Sequence, residues 1–407
     1  MQWFQAAAAI FYTNFYGVSL TQAFGGAELN RATWLSLIGV LVLACGMRLA
    51  LRGLGRSSAE ELEKATGNVN VASAFAAHLF TFGLALVAVA IATRIPGLSQ
   101  GLRYIGTVKW VFLFVFASAV LEQRRGYFFL SISVALELGT GFIGFYASFK
   151  EVFFVLLMAA LTSSLSLRGR RLALSITVAV LLVVLGSLWT TIKTDYREFL
   201  TQGLRSQDVL MPVEERVGKL QDLVSDFGWR QLAEGFEAMI LRLAYVQYFA
   251  LTMVNVPSTV PYENGALWGG AVKHIVTPRL FFPNKGVIDD SERTAFYTGL
   301  EVAGSERGTS IGIGYVGESY IDFGPIFMFV PIGVLGFLYG LVYRAFVIKA
   351  RWKLVGAAIA TSIIIFGAYT IETSNIKIVG GSTTAVLLMT VLYLLFARRA
   401  TEWLIRK

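Results

Sequence analysis

Two polar stretches in this 407-residue chain carry residues suited to chemistry on an anion. The first is TPRLFFPNKGVIDDSERT at 277–294, and the second is GTSIGIGYVGESYIDFG at 308–324. In the first, Pro278 and Pro283 bracket Arg279, and proline restrains both its own backbone and that of its predecessor. Arg279 offers a planar fork of donors that matches a phosphate, and Lys285 adds a compact positive charge. Asp289, Asp290 and Glu292 are candidate general bases. In the second stretch, Gly308, Gly312, Gly314 and Gly317 allow close backbone approach and exposed amides, although no Gly-Lys-Ser/Thr ends the run as in a Walker loop. Glu318 stands at the mouth of an apolar run, where a carboxylate is costly unless paired or hydrated. The alternatives are a solvated charged turn for the first stretch, and small-residue helix packing with a capping acid for the second.

Other ionisable residues fall outside these stretches. Lys150-Glu151, Lys193, Asp195 and Arg197 lie near the ends of apolar runs, as headgroup or pyrophosphate ligands or as snorkelling side chains. Glu137 sits in the middle of VALELGTGF, where an ionisable group implies a partner inside the bundle. It is either a proton relay or a structural hydrogen bond. His78 reads as a core histidine, and His274 is an alternative base close to Arg279.

The elements that must position these residues are apolar. The chain is 56% hydrophobic and only 15% charged, with a mean hydropathy of +0.64. A soluble domain carries about a quarter charged residues. Runs of roughly 20 apolar residues therefore predict an all-α polytopic membrane protein. Ten spans are predicted, at about 3–20, 32–52, 71–93, 107–122, 126–147, 151–167, 172–193, 323–346, 354–373 and 381–397. The first is read as a retained span because it lacks the charged start and cleavage site of a signal peptide. Clusters such as Arg48/Arg52/Arg56, Arg124/Arg125, Arg168/Arg170/Arg171 and Arg398/Arg399 then fall on one side. The positive-inside rule makes that side cytoplasmic, with both termini. The chain divides into a bundle of about seven spans at 1–193, one large outer loop at 194–322 between spans seven and eight, and about three spans at 323–407. Within the loop, 212–234 reads as a solvated helix and 235–256 as one interfacial or partly embedded amphipathic helix.

Charge distribution narrows the function classes. Residues 194–322 hold 17 acids and 11 bases, a net −6, while the rest of the chain is +15. The excess of bases lies in short loops, which argues against nucleic acid as a partner. The single Cys45 excludes an intramolecular disulfide and Cys-based zinc sites, and two histidines are too few for a His-rich metal centre. No metal or other cofactor is predicted.

On PRLFFPNK at 278–285 before an acidic turn, GYVGESYIDFGP at 314–325 leading into a span, and Lys150 after a glycine-rich span, the chain resembles the Wzy-type O-antigen and exopolysaccharide polymerases. The resemblance covers roughly residues 130–345. The layout is also similar to the wider GT-C-like class of lipid-linked-sugar transferases, which includes the O-antigen ligases. It implies polymerisation of undecaprenyl-pyrophosphate-linked oligosaccharides on the periplasmic face of the bacterial inner membrane, with membrane lipid and a chain-length regulator protein as further partners. Under that resemblance Arg279, Lys285, Arg293, Arg307 and Lys150 would bind the departing pyrophosphate without a metal. One of Asp289, Asp290, Glu318 or His274 would take the acceptor proton. A ligase would use the same residues. A transporter or flippase would draw on Glu137 and His78, but paired broken spans in two similar halves are missing from the sequence.

Overall fold

A computed structural model describes residues 2–19, 28–52, 57–92, 99–144, 149–163, 170–203, 209, 211–225, 227–277, 282, 289–302, 304, 310–368 and 370–405. Among the described residues the regular structure is entirely helical. The first half contains α1 (Gln2–Tyr16), α2 (Leu29–Ala50), α3 (Ser57–Gly67), α4 (Val71–Ala92), α5 (Ser99–Gly106), α6 (Val108–Gln123), α7 (Tyr127–Ile143), α8 (Phe149–Thr162) and α9 (Arg170–Leu200). The middle contains α10 (Val213–Ser225), α11 (Trp229–Leu243), α12 (Val246–Asn255), α13 (Ala266–Val276) and α14 (Asp290–Thr298). The last part contains α15 (Tyr315–Phe327), α16 (Phe329–Tyr343), a π-helical turn (Arg344–Ile348), α17 (Lys353–Ala368) and α18 (Asn375–Ile405).

Six described helical stretches are long and apolar enough to cross a membrane: Leu29–Ala50, Val71–Ala92, Gly101–Gln123, Ile176–Leu200, Phe329–Ile348 and Asn375–Ile405. Tyr127–Ile143 and Lys353–Gly367 are shorter apolar helices. The protein is thus a helical membrane protein. Its outward-facing apolar side chains, such as Phe80, Phe128, Val330 and Leu394, are what a helix presents to lipid.

Three breaks depart from the sequence reading. The run at 235–256 is two helices, because the chain leaves helical geometry at Ala244 (φ −72°, ψ 52°) before α12 begins. The solvated helix expected at 212–234 is likewise split, into α10 and the start of α11. The span expected to open at Phe323 is kinked at Gly324 (φ 70°, ψ −175°), next to Pro325, so its long apolar part starts at Phe329. Proline lacks the donor that would continue the helical ladder, which explains the position of this kink.

The tightest helix pair is α2 against α16. A Cβ at Gly336 would collide with the Leu43 carbonyl, and one at Gly46 with the Gly333 carbonyl. These glycines let two backbones touch, the usual basis of helix association where burial from water does not separate partners. The helices of the middle segment pack on the spans: α11 lies along α9 and touches α1, while α12 packs on α2 and α14. Two apolar cores result. One joins α4, α6, α8, α17 and α18, and the other joins α1, α2, α12, α15 and α16 with Ile371 and Ile378. The second core therefore draws on all three segments into which the sequence divides the chain.

Candidate functional site

Asp289 adopts an extended backbone (φ −105°, ψ 105°) and its Oδ1 accepts the amides of Ser291 (2.9 Å) and Glu292 (3.3 Å), capping α14. That cap fixes the direction of the next residues. Asp290, 2% exposed, accepts Lys377 Nζ at 2.7 Å and Ser374 Oγ at 3.2 Å, both on Oδ2. Its Oδ1 is buried without a hydrogen-bond partner. One turn on, Thr294 donates to the Ile311 carbonyl (2.7 Å), and Ser291 Oγ accepts the Ile311 amide (2.9 Å). The two bonds strap the chain after residue 309 onto α14.

The glycine run then has a definite task. Gly314 has φ +90°, and a Cβ there would collide with the Ile371 carbonyl, so the chain passes flush against 371–373. The Tyr315 amide donates to the Thr373 carbonyl at 2.8 Å. This contact sets α15 beside the start of α18. Glu318, 1% exposed, accepts Arg293 Nη1 at 3.1 Å on one oxygen and the Asn375 amide at 2.7 Å on the other. A carboxylate at a helix N-terminus gains from the unpaired amides and the helix dipole. Burial nevertheless pushes the Glu318 carboxyl up to about 7, against the opposing pull of Arg293 and the Asn375 amide, with Asp290 adding to the rise.

The charges are layered. Glu318 and Asp290 are buried, whereas the side chains of Arg293 and Lys377 are 21% and 47% exposed. The two acids hold the two cations from behind, so the solvent-facing part of the cluster is cationic. Lys377 also donates to Ser310 Oγ at 2.8 Å.

Asp322, one turn beyond Glu318, accepts the amides of Leu267 (3.0 Å) and Trp268 (2.8 Å), fastening the start of α13 to α15. Burial raises its carboxyl, and those amides oppose the rise. His274 lies in the last turn of α13, at the end away from this anchor. Arg279, Lys285 and Arg307 lie outside the described residues. Lys150 opens α8 beside Glu151, which interacts electrostatically with Lys109 and Glu137, so Lys150 belongs to a different neighbourhood from Arg293. Of the site residues read from the sequence, the structure thus gathers Asp289, Asp290, Arg293 and Glu318.

Lys377, Ser374 and Asn375 were missed by the sequence reading. They stand in IETSNIK at 371–377, a polar break between two apolar runs. Lys109 was missed as well. It pairs with Glu137 Oε2 between α6 and α7, and its Nζ sits 4.2 Å from the Trp110 ring centroid. His78 Nε2 lies 3.8 Å from Glu137 Oε1, and neither ring nitrogen of this fully buried histidine has a hydrogen-bond partner. Among the described residues no group of three or more His, Cys, Asp or Glu is placed to hold a metal ion.

A family model, DUF8712, matches residues 43–396, which include both ionic centres. The chain belongs to DUF8712. The family is described only as a domain of unknown function. No curated protein matches the chain, and no solved structure does.

Proposed function

We propose that this DUF8712 chain is a membrane-embedded glycosyltransferase that joins undecaprenyl-pyrophosphate-linked oligosaccharide units on the outer face of a bacterial inner membrane. The observation that carries the reading is the layered cluster, in which buried Glu318 and Asp290 present Arg293 and Lys377 beside the ends of apolar helices. Such a surface suits an anionic group borne on a lipid. In this reading all ten apolar helices cross, both termini are cytoplasmic, and 194–322 is the outer loop.

In the reaction, an acceptor hydroxyl oxygen bonds to the anomeric carbon of the donor. The bond from that carbon to the phosphate oxygen breaks, and its electron pair leaves with the pyrophosphate. Arg293 meets that developing charge, with Arg279 and Lys285 of the same stretch and Arg307 of the same loop as further cations. Glu318 is a positioning residue, because both of its oxygens are already engaged by Arg293 and Asn375. The acceptor proton goes to Asp290 or His274. Asp289 is committed to a helix cap, while Asp290 keeps one oxygen without a partner.

A carrier is the weaker reading. It would draw on Glu137 and His78, and Glu137 is paired with Lys109 between two packed helices. The test is Arg293→Ala in cells that make the polysaccharide, with the protein level in membranes measured alongside. Single repeat units should accumulate on the lipid carrier. Long polymer retained on undecaprenyl pyrophosphate would instead favour a ligase, and normal chain lengths on finished product would sink both enzyme readings.

A further inference from the structure

Val213, Val217 and Val224 on α10 are each nearly half exposed, and Trp229, which opens α11, is 86% exposed. At about 100° per helical residue the three valines fall within about 40° of one another, so they form one stripe. On one side of that stripe the helix turns inward. Arg216 donates to the Ile143 carbonyl (3.5 Å), Lys219 stands over the Phe199 ring, and Leu223 packs against the first core. On the other side lie Glu214, Glu215 and Asp222, all exposed.

The height of α10 along the bundle decides what the stripe meets. The apolar run of α9 ends at Ile192 and gives way to Lys193, Thr194 and Asp195. Tyr196 donates to the same Ile143 carbonyl that Arg216 reaches (3.0 Å), which ties α10 to the ends of α7 and α9. Tyr196 stands about 6 Å past Ile192 at about 1.5 Å per helical residue. The headgroup layer of a bilayer is roughly 5–8 Å thick on each side, so α10 lies at headgroup height. α11 runs back along α9, with Gln231 beside Thr191 and Met239 beside Gly186. Trp229 therefore sits at the rim of the same apolar run, the depth at which tryptophan is enriched in membrane proteins.

We propose that α10 and Trp229 form a docking surface for the bilayer itself, in place of the solvated helix expected from the sequence. The valine stripe meets the acyl boundary, and Glu214, Glu215 and Asp222 face water. The occupant is lipid because α9, with Ile176, Val180 and Val184 exposed, carries the lipid-facing surface up to this rim, where α10 is fastened to its end. The lipid it fits is neutral. Arg216 and Lys219 are engaged inward, Arg230 pairs with Glu234, and the far flank of α10 is acidic, so the attraction is apolar and not ionic. The surface is independent of the chemistry at Arg293.

Cys45 is the single cysteine, so a Cys45→Ser background accepts one spin label at a time. The full-length protein in phosphatidylcholine nanodiscs is probed with oxygen, which partitions into lipid, and with a water-soluble nickel chelate. The ratio of oxygen to chelate collisions should be severalfold higher for labels at Val217→Cys, Val224→Cys and Trp229→Cys than at Glu214→Cys and Asp222→Cys. Equal ratios on the two flanks would mean a solvated helix and overturn the proposal. Valine-flank labels shielded from both agents would mean a contact with a second copy, and would overturn it too. Exchanging part of the phosphatidylcholine for phosphatidylglycerol should leave the ratios unchanged, whereas a severalfold rise would overturn the assignment to neutral lipid.

Discussion

Among the described residues, two buried centres pair carboxylates with cations, and they behave differently. Glu137 lies among α4, α6 and α7, with Lys109 and His78 around it. Lys109 is only 16% exposed and rests against Trp110, so this centre is balanced and closed. Glu318 is as deeply buried, yet Arg293 leans outward, and Asp290 with Lys377 repeats the arrangement beside it. The difference lies in the cations. An enclosed partner ties helices together, whereas under the proposed function a partner that reaches solvent keeps donors free for the ligand.

The comparison can be broken at several points. Lys109→Met should have the largest effect on the fold, since it strands Glu137 in the bundle. Removing one partner of a buried pair costs about 3–5 kcal/mol. Thermal unfolding in detergent should show that loss, and adding Glu137→Gln should recover most of it; a Lys109→Met protein as stable as wild type would dissolve the distinction. Arg293→Lys keeps the charge and loses the fork, so polymer formation should fall at least tenfold, about 1.4 kcal/mol of transition-state stabilisation. Its unfolding temperature should stay near that of wild type, whereas a large drop would make Arg293 structural like Lys109.

Asp289 sharpens the same contrast between holding and reacting. Asp289→Ala should cost about 1 kcal/mol through the lost cap, while Asp289→Asn should preserve both stability and turnover. Turnover lost in the Asn variant with stability intact would return Asp289 to the role of base. The smallest effect concerns pH. Burial raises the Glu318 carboxyl from 4.5 to about 7, so the folded state prefers its protonated form. That contribution to stability is fully present below about pH 4.5 and is lost as pH rises through about 7. Wild type should therefore lose stability relative to Glu318→Gln across that window, by a slope of no more than about one proton. Parallel pH profiles would mean that Glu318 stays ionised throughout.

Much of the architecture was legible because apolar runs of this length leave few alternatives to a helix in lipid. The break at Ala244–Tyr245 was not, since no glycine or proline marks it and the amphipathic pattern runs straight through. The break at Gly324–Pro325 carried its own signal in the proline. In the site, Asp290, Arg293 and Glu318 could be found from local composition, because charge is rare in this chain. Lys377 was hidden by distance: its partner Asp290 lies 87 positions earlier in the chain. Lys109 was overlooked at the edge of an apolar run, although an intramembrane Glu137 demands some such partner.

The sequence by itself determined the class of this protein. Hydropathy alone dictates helices for a chain so poor in charge, and the scarcity of ionisable residues confines where chemistry can occur. What only the tertiary structure decided is which charges face each other and which face out. Glu318 and Glu137 look alike as lone acids in apolar surroundings. Their difference comes from the passage of Gly314 against 371–373, which brings Asn375, Lys377 and Arg293 around Glu318 and Asp290, and from the packing of α6 on α4 and α7, which encloses Lys109 with Glu137. Pairing and exposure are properties of distant segments brought together, and no local pattern of residues records them.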